Sequence, residues 1–208
     1  MLKNTKIGFA LTGSFYNYKN IISIMKELAD LGAKIVPIMS FNSLKLETKY
    51  INTKEIICEI EKICSTKIID TIEKAEKIGK KHLTDIIVVA PCTGNTIAKL
   101  AHGISDTPVT NAVKYHLRNE NNVILAISTP DALSTNASNI GELLNRKHFY
   151  FVPFRQDNPI TKPYSMSFDS RYIIPCIERA LVCEQIQPIL LWLKIFLKKY
   201  WQELLFVL

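Results

Sequence analysis

Asp85-Ile86-Ile87-Val88-Val89-Ala90-Pro91-Cys92-Thr93-Gly94-Asn95-Thr96, running into Ile97-Ala98-Lys99-Leu100-Ala101-His102-Gly103, is the stretch that decides the fold. Residues 86–90 are five apolar side chains in a row, β-branched from 86 to 89, the composition of a parallel strand buried on both faces. Pro91 has no amide proton to give a ladder, so the strand is expected to halt there. A short Thr-Gly-Asn-Thr turn then opens an apolar helical pattern. Such a turn leaves backbone N–H groups free at a helix N-terminus, where the positive end of the dipole favours an anionic or carbonyl-rich ligand. An ordinary βα turn with Asn95 or Thr96 as N-cap has the same composition, and this segment alone leaves both readings open.

A second turn of the same kind adds weight to the ligand reading. Residues 6–11 form a strand pattern that runs into Thr12-Gly13-Ser14, and a helical spacing of apolar residues from Ile21 to Leu31 follows, stopped by Gly32 at C′. Gly13 allows a tight turn, while Thr12 and Ser14 offer hydroxyls to a phosphate. The segment lacks the lysine of a P-loop and the spacing of a GxGxxG fingerprint. Two ligand-suited turns after two parallel strands would open on the same carboxyl edge of one sheet.

Further units follow along the chain. Residues 33–39 read as a strand ending at Ser40, and 41–54 as a polar loop before a helix near 53–64. Residues 67–69 read as a short extra strand, 71–81 as a helix or a partly ordered segment, and 108–118 as a helix with Pro108 in its first turn and Asp106 or Thr107 as cap. A strand at 122–128, a helix at 138–146 and a last strand at 149–154 complete the pattern. A right-handed series of βα units gives a doubly wound, mostly parallel α/β sheet of Rossmann or flavodoxin type. No repeat or linker divides residues 1–190, which read as a single domain.

Two segments stand apart. Residues 153–170 carry Pro153, Pro159 and Pro163 among Arg155, Asp157, Lys162 and Tyr164, and read as an ordered loop leaving the ligand edge. Asp157 is a candidate general base or acceptor, and Arg155 or Lys162 a candidate partner for a substrate carboxylate. Residues 191–208 form an atypical apolar pattern with Lys194, Lys198 and Gln202 on one stripe. It reads as an amphipathic helix docking on another subunit, with interfacial membrane binding or an altered reading frame as alternatives; its lysines argue against a membrane span.

With 208 residues, 48% of them hydrophobic, the chain can bury a full core. The net charge of +7 is spread among glutamates, as in Lys54, Glu55, Glu59, Glu61 and Lys62, which is the pattern of a solvated helix face. No RNP pattern, zinc finger or basic arm points to nucleic acid, and a positive field suits an anionic ligand. The five cysteines form no CxxC pair, and with no signal peptide they read as reduced thiols in the cytoplasm. Cys92, in the ligand loop, reads as a small residue packed in a crowded turn or as a contact to the ligand. The histidines have no metal-ligand spacing.

Thr12-Gly13-Ser14, Pro91-Cys92-Thr93-Gly94-Asn95-Thr96 and Ala126-Ile127-Ser128-Thr129 resemble the FMN-binding loops of the flavoprotein group that includes phosphopantothenoylcysteine decarboxylase, the lantibiotic-processing decarboxylases and the flavin prenyltransferases. Residues 7–14, 90–96, 151–154, Gln156-Asp157-Asn158-Pro159, Lys162-Pro163 and Gln185-Ile186-Gln187-Pro188 resemble the B-subunit family of dipicolinate synthase. The resemblance implies FMN held by Thr12, Gly13, Ser14, Ser40, Pro91, Thr93, Gly94, Asn95, Thr96, Ser128 and Thr129. It implies oxidation of a dihydrodipicolinate-level dicarboxylate during sporulation, in the mother cell of a spore-forming bacterium. It also implies a partner, the dehydrogenase-like A subunit of the synthase, carrying NAD(P). A homo-oligomer is implied as well, using the apolar helix at 108–117 and the C-terminal helix as pairing surfaces. Arg155 stands where a glycine is usual in that family. The decarboxylase histidine, about fourteen residues before the loop proline, is replaced by Lys77, which disfavours a stand-alone decarboxylase or prenyltransferase. A flavin-binding scaffold without catalysis is the remaining alternative.

Overall fold

Strand β3 (Ile86–Cys92) runs through the middle of the molecule, and all seven of its residues are buried. Successive side chains of a strand face opposite ways, so burial without alternation means that both faces of the sheet are covered. The structure is a computed structural model that describes residues 2–14, 18–45 and 52–192. Strands β1 (Lys6–Leu11) and β4 (Asn122–Thr129) flank β3 in parallel, and β2 (Lys34–Met39) lies outside β1. Strand β5 (Phe149–Phe151) adds in parallel to the first half of β4, at 123–125. The resulting order β2-β1-β3-β4-β5 is that of the flavodoxin-type doubly wound sheet, with its switch point between β1 and β3.

Each connection follows from local sequence. Helix α1 (Tyr18–Asp30) ends as expected at Gly32, which has φ +82°, with Ala33 N–H on Leu28 C=O at 3.0 Å and Gly32 N–H on Ala29 C=O at 2.9 Å. Helix α2 (Phe41–Lys45) stands where a loop was expected, because the Ser40 hydroxyl accepts from Ser43 N–H at 3.3 Å and starts a turn. Helices α3 (Thr53–Cys64), α4 (Ile72–Lys80), α5 (Gly94–Ala101), α6 (Pro108–Leu117), α7 (Ala137–Leu144) and α8 (Ile173–Ala180) are the other α-helices among the described residues. They form two groups across the sheet: α1, α3 and α8 pack together, and so do α4, α5, α6 and α7. The extra strand expected at 67–69 is reduced to a single bridge, Ile69 to Ile38 beside β2.

Three expectations are corrected. Strand β3 does not stop at Pro91; it runs on to Cys92 through a cis Ala90–Pro91 bond, with a register shift against β4 where the proline cannot donate. Residues 153–170 are not a loop but mostly a hairpin, β6 (Phe154–Asn158) and β7 (Lys162–Phe168). In it Phe154, Met166 and Phe168 are buried on one face while Arg155, Ser165 and Ser167 share the other, a period of two that the prolines obscured. Strand β7 pairs antiparallel with Ser128 and Thr129, so one edge of β4 serves β5 below and β7 above. Helix α6 offers no free apolar face, since Val109, Ala112 and Val113 are buried against α4 and the sheet. The C-terminal helix expected at 191–208 lies almost wholly outside the described residues.

The open side of β5 is met by a side chain: Gln185 Oε1 accepts from Phe151 N–H and Gln185 Nε2 donates to Phe151 C=O, both at 2.8 Å. At the start of β6, Phe154 bridges Leu190. None of the helices among the described residues is long and apolar enough to cross a membrane.

One buried titratable group makes the fold sensitive to acid. His116 of α6 is 1% exposed, with Nδ1 at 2.9 Å from Thr84 Oγ1 and Nε2 at 3.0 Å from Asn122 C=O. A carbonyl only accepts, so Nε2 donates and Nδ1 takes the threonine proton. Burial pushes this imidazole down to about 4, against the opposing pull of the Asn122 carbonyl and the Asp85 charge. The unfolded chain binds the proton near the ordinary value of about 6.5, so stability is full above that pH and falls as pH drops towards 4. The loss attributable to His116 is expected to reach roughly 3 kcal/mol. Urea unfolding of the wild type and His116→Gln between pH 7 and 4.5 should show a shallower pH slope in the variant; equal slopes would refute the assignment.

Candidate functional site

The switch point between β1 and β3 is closed by one hydroxyl. Thr12 Oγ1 donates to Pro91 C=O at 2.6 Å and accepts from Thr93 N–H at 3.2 Å, tying the two loops together from a position 1% exposed. The Tyr18 hydroxyl donates to Thr12 C=O at 2.9 Å, and burial raises that phenol to about 12 despite a hydrogen bond from Ser43 that acts the other way. Ser14 then turns outward and meets Ser128, at the end of β4, at 3.1 Å between hydroxyls.

Beyond the tie, α5 begins at Gly94 with Thr93, not Asn95 or Thr96, in the N-cap position. The Thr93 hydroxyl engages Thr96 Oγ1 at 3.2 Å and Thr12 Oγ1 at 3.3 Å, so this N-cap side chain makes no capping hydrogen bond to the first turn of α5. Its N–H groups are therefore the open donors expected at an anion-binding helix start. Gly94 is required by close approach: a Cβ there would stand 2.5 Å from Thr129 Oγ1, 2.6 Å from Asn136 Nδ2 and 2.8 Å from Asp131 Oδ1.

Those three side chains form a polar knot after β4. Thr129 donates to Asp131 Oδ1 at 2.5 Å, Asn136 Nδ2 donates to Oδ2 at 2.8 Å, and Asn139 in turn donates to Asn136 Oδ1 at 3.0 Å. Burial alone would raise the Asp131 carboxyl, but the hydrogen bonds from Thr129, Asn136 and its own backbone outweigh it and hold the group below the usual carboxylate range.

These elements wall a cavity of about 1100 Å³ between the sheet edge and helices α1 and α3. Of the residues expected at a cofactor, Gly13, Ser14, Thr93, Gly94, Asn95, Ser128 and Thr129 line it. Thr12, Ser40, Pro91 and Thr96 stand behind the wall and hold it, Ser40 through Ser43 at 2.7 Å between hydroxyls. Asp157 and Lys162 are exposed on the hairpin and do not line the cavity; Asp157 accepts from Ser165 Oγ. Arg155 is ion-paired to Asp169 at 3.4 Å, while Arg171 takes the same carboxylate at 2.5 Å. The register places Arg155 opposite Ser167 and Ser167 opposite Ser128, so all three share a face of the sheet. Cys92 is fully buried and burial pushes its thiol up, which suits packing rather than nucleophilic attack. Lys77 is exposed on α4 and is not part of the wall. Among the described residues no cluster of His, Cys, Asp and Glu is arranged to hold a metal.

Lys19, Asn52, Glu55, Ile56, Glu59 and Asp131 also line the cavity. The glutamates of α3 looked in the sequence like an ordinary solvated face. Asp131 carried a usable signal, since it follows a buried strand at the edge where the other ligand loops open.

A model of the flavoprotein family matches residues 1–166. The chain belongs to the flavoprotein family. It is 41% identical to the B subunit of dipicolinate synthase from Bacillus subtilis (strain 168) over 189 residues, 91% of this chain and 94% of that one. The crystal structure of the B subunit of dipicolinate synthase from Bacillus halodurans superposes with a TM-score of 0.84 at 39% identity, covering 92% of this chain and 98% of that one. The FMN-dependent cysteine decarboxylase SpaF shares the flavoprotein fold, with a TM-score of 0.63 at 20% identity over 88% of this chain and 98% of that one.

For this flavoprotein, Gly94→Ala is expected to cost about 1–3 kcal/mol, because the three side chains a methyl would strike are joined through the Asp131 carboxylate and cannot yield singly. Urea unfolding monitored by circular dichroism measures it; an unchanged midpoint would show that the knot opens freely.

Proposed function

We propose that the chain binds FMN in the cavity at the β1/β3 switch point. We further propose that it serves as the flavin subunit of a dipicolinate synthase, oxidising a dihydrodipicolinate-level dicarboxylate together with a dehydrogenase-like A subunit that carries NAD(P). One observation carries the reading: the uncapped first turn of α5 faces the same cavity as Gly13, Ser14 and Ser128. The donor set fits a flavin mononucleotide. Gly13, to whose built Cβ the nearest atom among the described residues is Asn42 Cβ at 4.0 Å, leaves its backbone approachable, and it joins Ser14 and the α5 N–H groups as phosphate donors. Thr93, Asn95 and Ser128 supply hydroxyls and an amide for the ribityl chain and ring edge, and buried Thr96 keeps Thr93 in place. Bound FMN would supply the two-electron redox centre.

The protein's own part is binding and orientation. Three carboxylates (Glu55, Glu59, Asp131) and one lysine line the cavity, so a dicarboxylate is better received towards the hairpin, where Arg155 shares a face with Ser128. Arg171 already engages Asp169 through two nitrogens, at 2.9 and 2.5 Å, which leaves Arg155 only the longer contact and donors to spare for a substrate carboxylate. Relatives support the assignment to this synthase: two of them at about 40% identity carry the name of its B subunit. On the same reading the chain works as a homo-oligomer in the mother-cell cytoplasm during sporulation.

Titrating FMN and following quenching of its fluorescence tests the first claim; a dissociation constant weaker than about 1 mM, or only about 4 kcal/mol, would remove it. The second is tested by the rise of pyridine dicarboxylate absorbance with the two subunits assayed separately and then mixed. Product is expected only from the mixture, and Arg155→Ala is expected to raise the KM of the mixture about tenfold or more without changing FMN affinity. Product at the full rate from either one without the other would refute the two-subunit reading.

A further inference from the structure

The flavin reading leaves one group of the cavity unused. Asp131 is ionised and half-buried, and both of its side-chain partners, Thr129 and Asn136, are neutral. None of the ion pairs among the described residues includes it. Those two bonds and the one from its own backbone N–H take three of the roughly four sites that a carboxylate offers, which leaves one for a ligand. A fixed negative charge held by neutral dipoles beside a cavity favours a ligand that brings an N–H or a positive charge. Glu55 and Glu59 differ, being exposed to water on α3. The charge also sorts the cavity: phosphate is repelled from Asp131 and belongs at Gly13 and Ser14, which leaves Asp131 to the ring end of a bound molecule.

We propose that Asp131 is the acceptor that fixes a planar or puckered nitrogen heterocycle in this cavity through one of its ring N–H groups. The inference rests on the reading of the cavity as the flavin and substrate site. Two sources share the chemistry: the imide N–H of the flavin ring, and the ring nitrogen of a reduced pyridine dicarboxylate. Thr129 and Asn136 act as positioning residues that aim the carboxylate.

Four probes test it on the full chain at neutral pH. FMN is compared with its N3-methyl derivative by fluorescence quenching. Piperidine-2,6-dicarboxylate, whose ring nitrogen carries protons, is compared with pyridine-2,6-dicarboxylate, whose nitrogen carries none, by calorimetry. Wild-type protein is expected to favour the N–H member of one pair about tenfold or more, the size of a charged hydrogen bond, and the pair that discriminates identifies the source. In Asp131→Ala that preference should vanish. Equal binding within both pairs by the wild type overturns the proposal without any variant, and so does a preference that persists in Asp131→Ala. If the wild type binds neither flavin, the flavin reading fails by itself, and the dicarboxylate pair alone then supports or overturns the role of Asp131.

Discussion

The hydroxyl of Thr12 sits where the sheet changes direction, and the site depends on the two hydrogen bonds it makes. Without that hydroxyl, Pro91 C=O and Thr93 N–H would both need new partners at the buried end of β3. Unpaired buried polar groups cost on the order of 1–3 kcal/mol each, so the pairing also sets where the loops can be. With them fixed, Ser14 meets Ser128 and α5 starts with its donors uncapped. A threonine that touches no cavity surface thus decides the shape of the cavity.

Strand β4 is the second organiser. Its first half is an ordinary parallel strand between β3 and β5, while its last two residues take an antiparallel partner. That change of neighbour brings a hairpin with a polar face to the edge where Ser128 ends, and the chain beyond Thr129 folds into the Asp131 knot. Core and site therefore meet within four residues, 128–131, with Thr129 contributing to both.

Most of the parallel sheet was legible because the physics there is local. Runs such as 86–90 have one plausible environment, and Gly32 marks a helix end by its own conformational freedom. The hairpin was not legible, because Pro153, Pro159 and Pro163 punctuate it and its period of two spans only a few residues per strand. Pro91 misled for a related reason: a strand end can accommodate a proline by shifting register, which no composition rule foresees. Of the site, the glycines and hydroxyls at strand ends could be read in advance. Which of them face the cavity and which stand behind it depends on the Thr12 tie, a contact across 81 positions of sequence. Asp131 was missed because its importance lies in its partners, Thr129 and Asn136, not in its residue type.

The lateral margins of the sheet share a feature. Beside β2, Ile69 makes a single bridge with its N–H on Pro37 C=O at 2.8 Å and its C=O on Met39 N–H at 3.0 Å. Beside β5, the Gln185 amide imitates a neighbouring strand for one residue. Beside β6, Leu190 bridges Phe154. Each plug is one residue long, too short to be a strand and enough to occupy the ladder where a foreign chain would begin to zip on. The sheet is in effect finished: it cannot be lengthened at those points by a passing segment without first evicting its own.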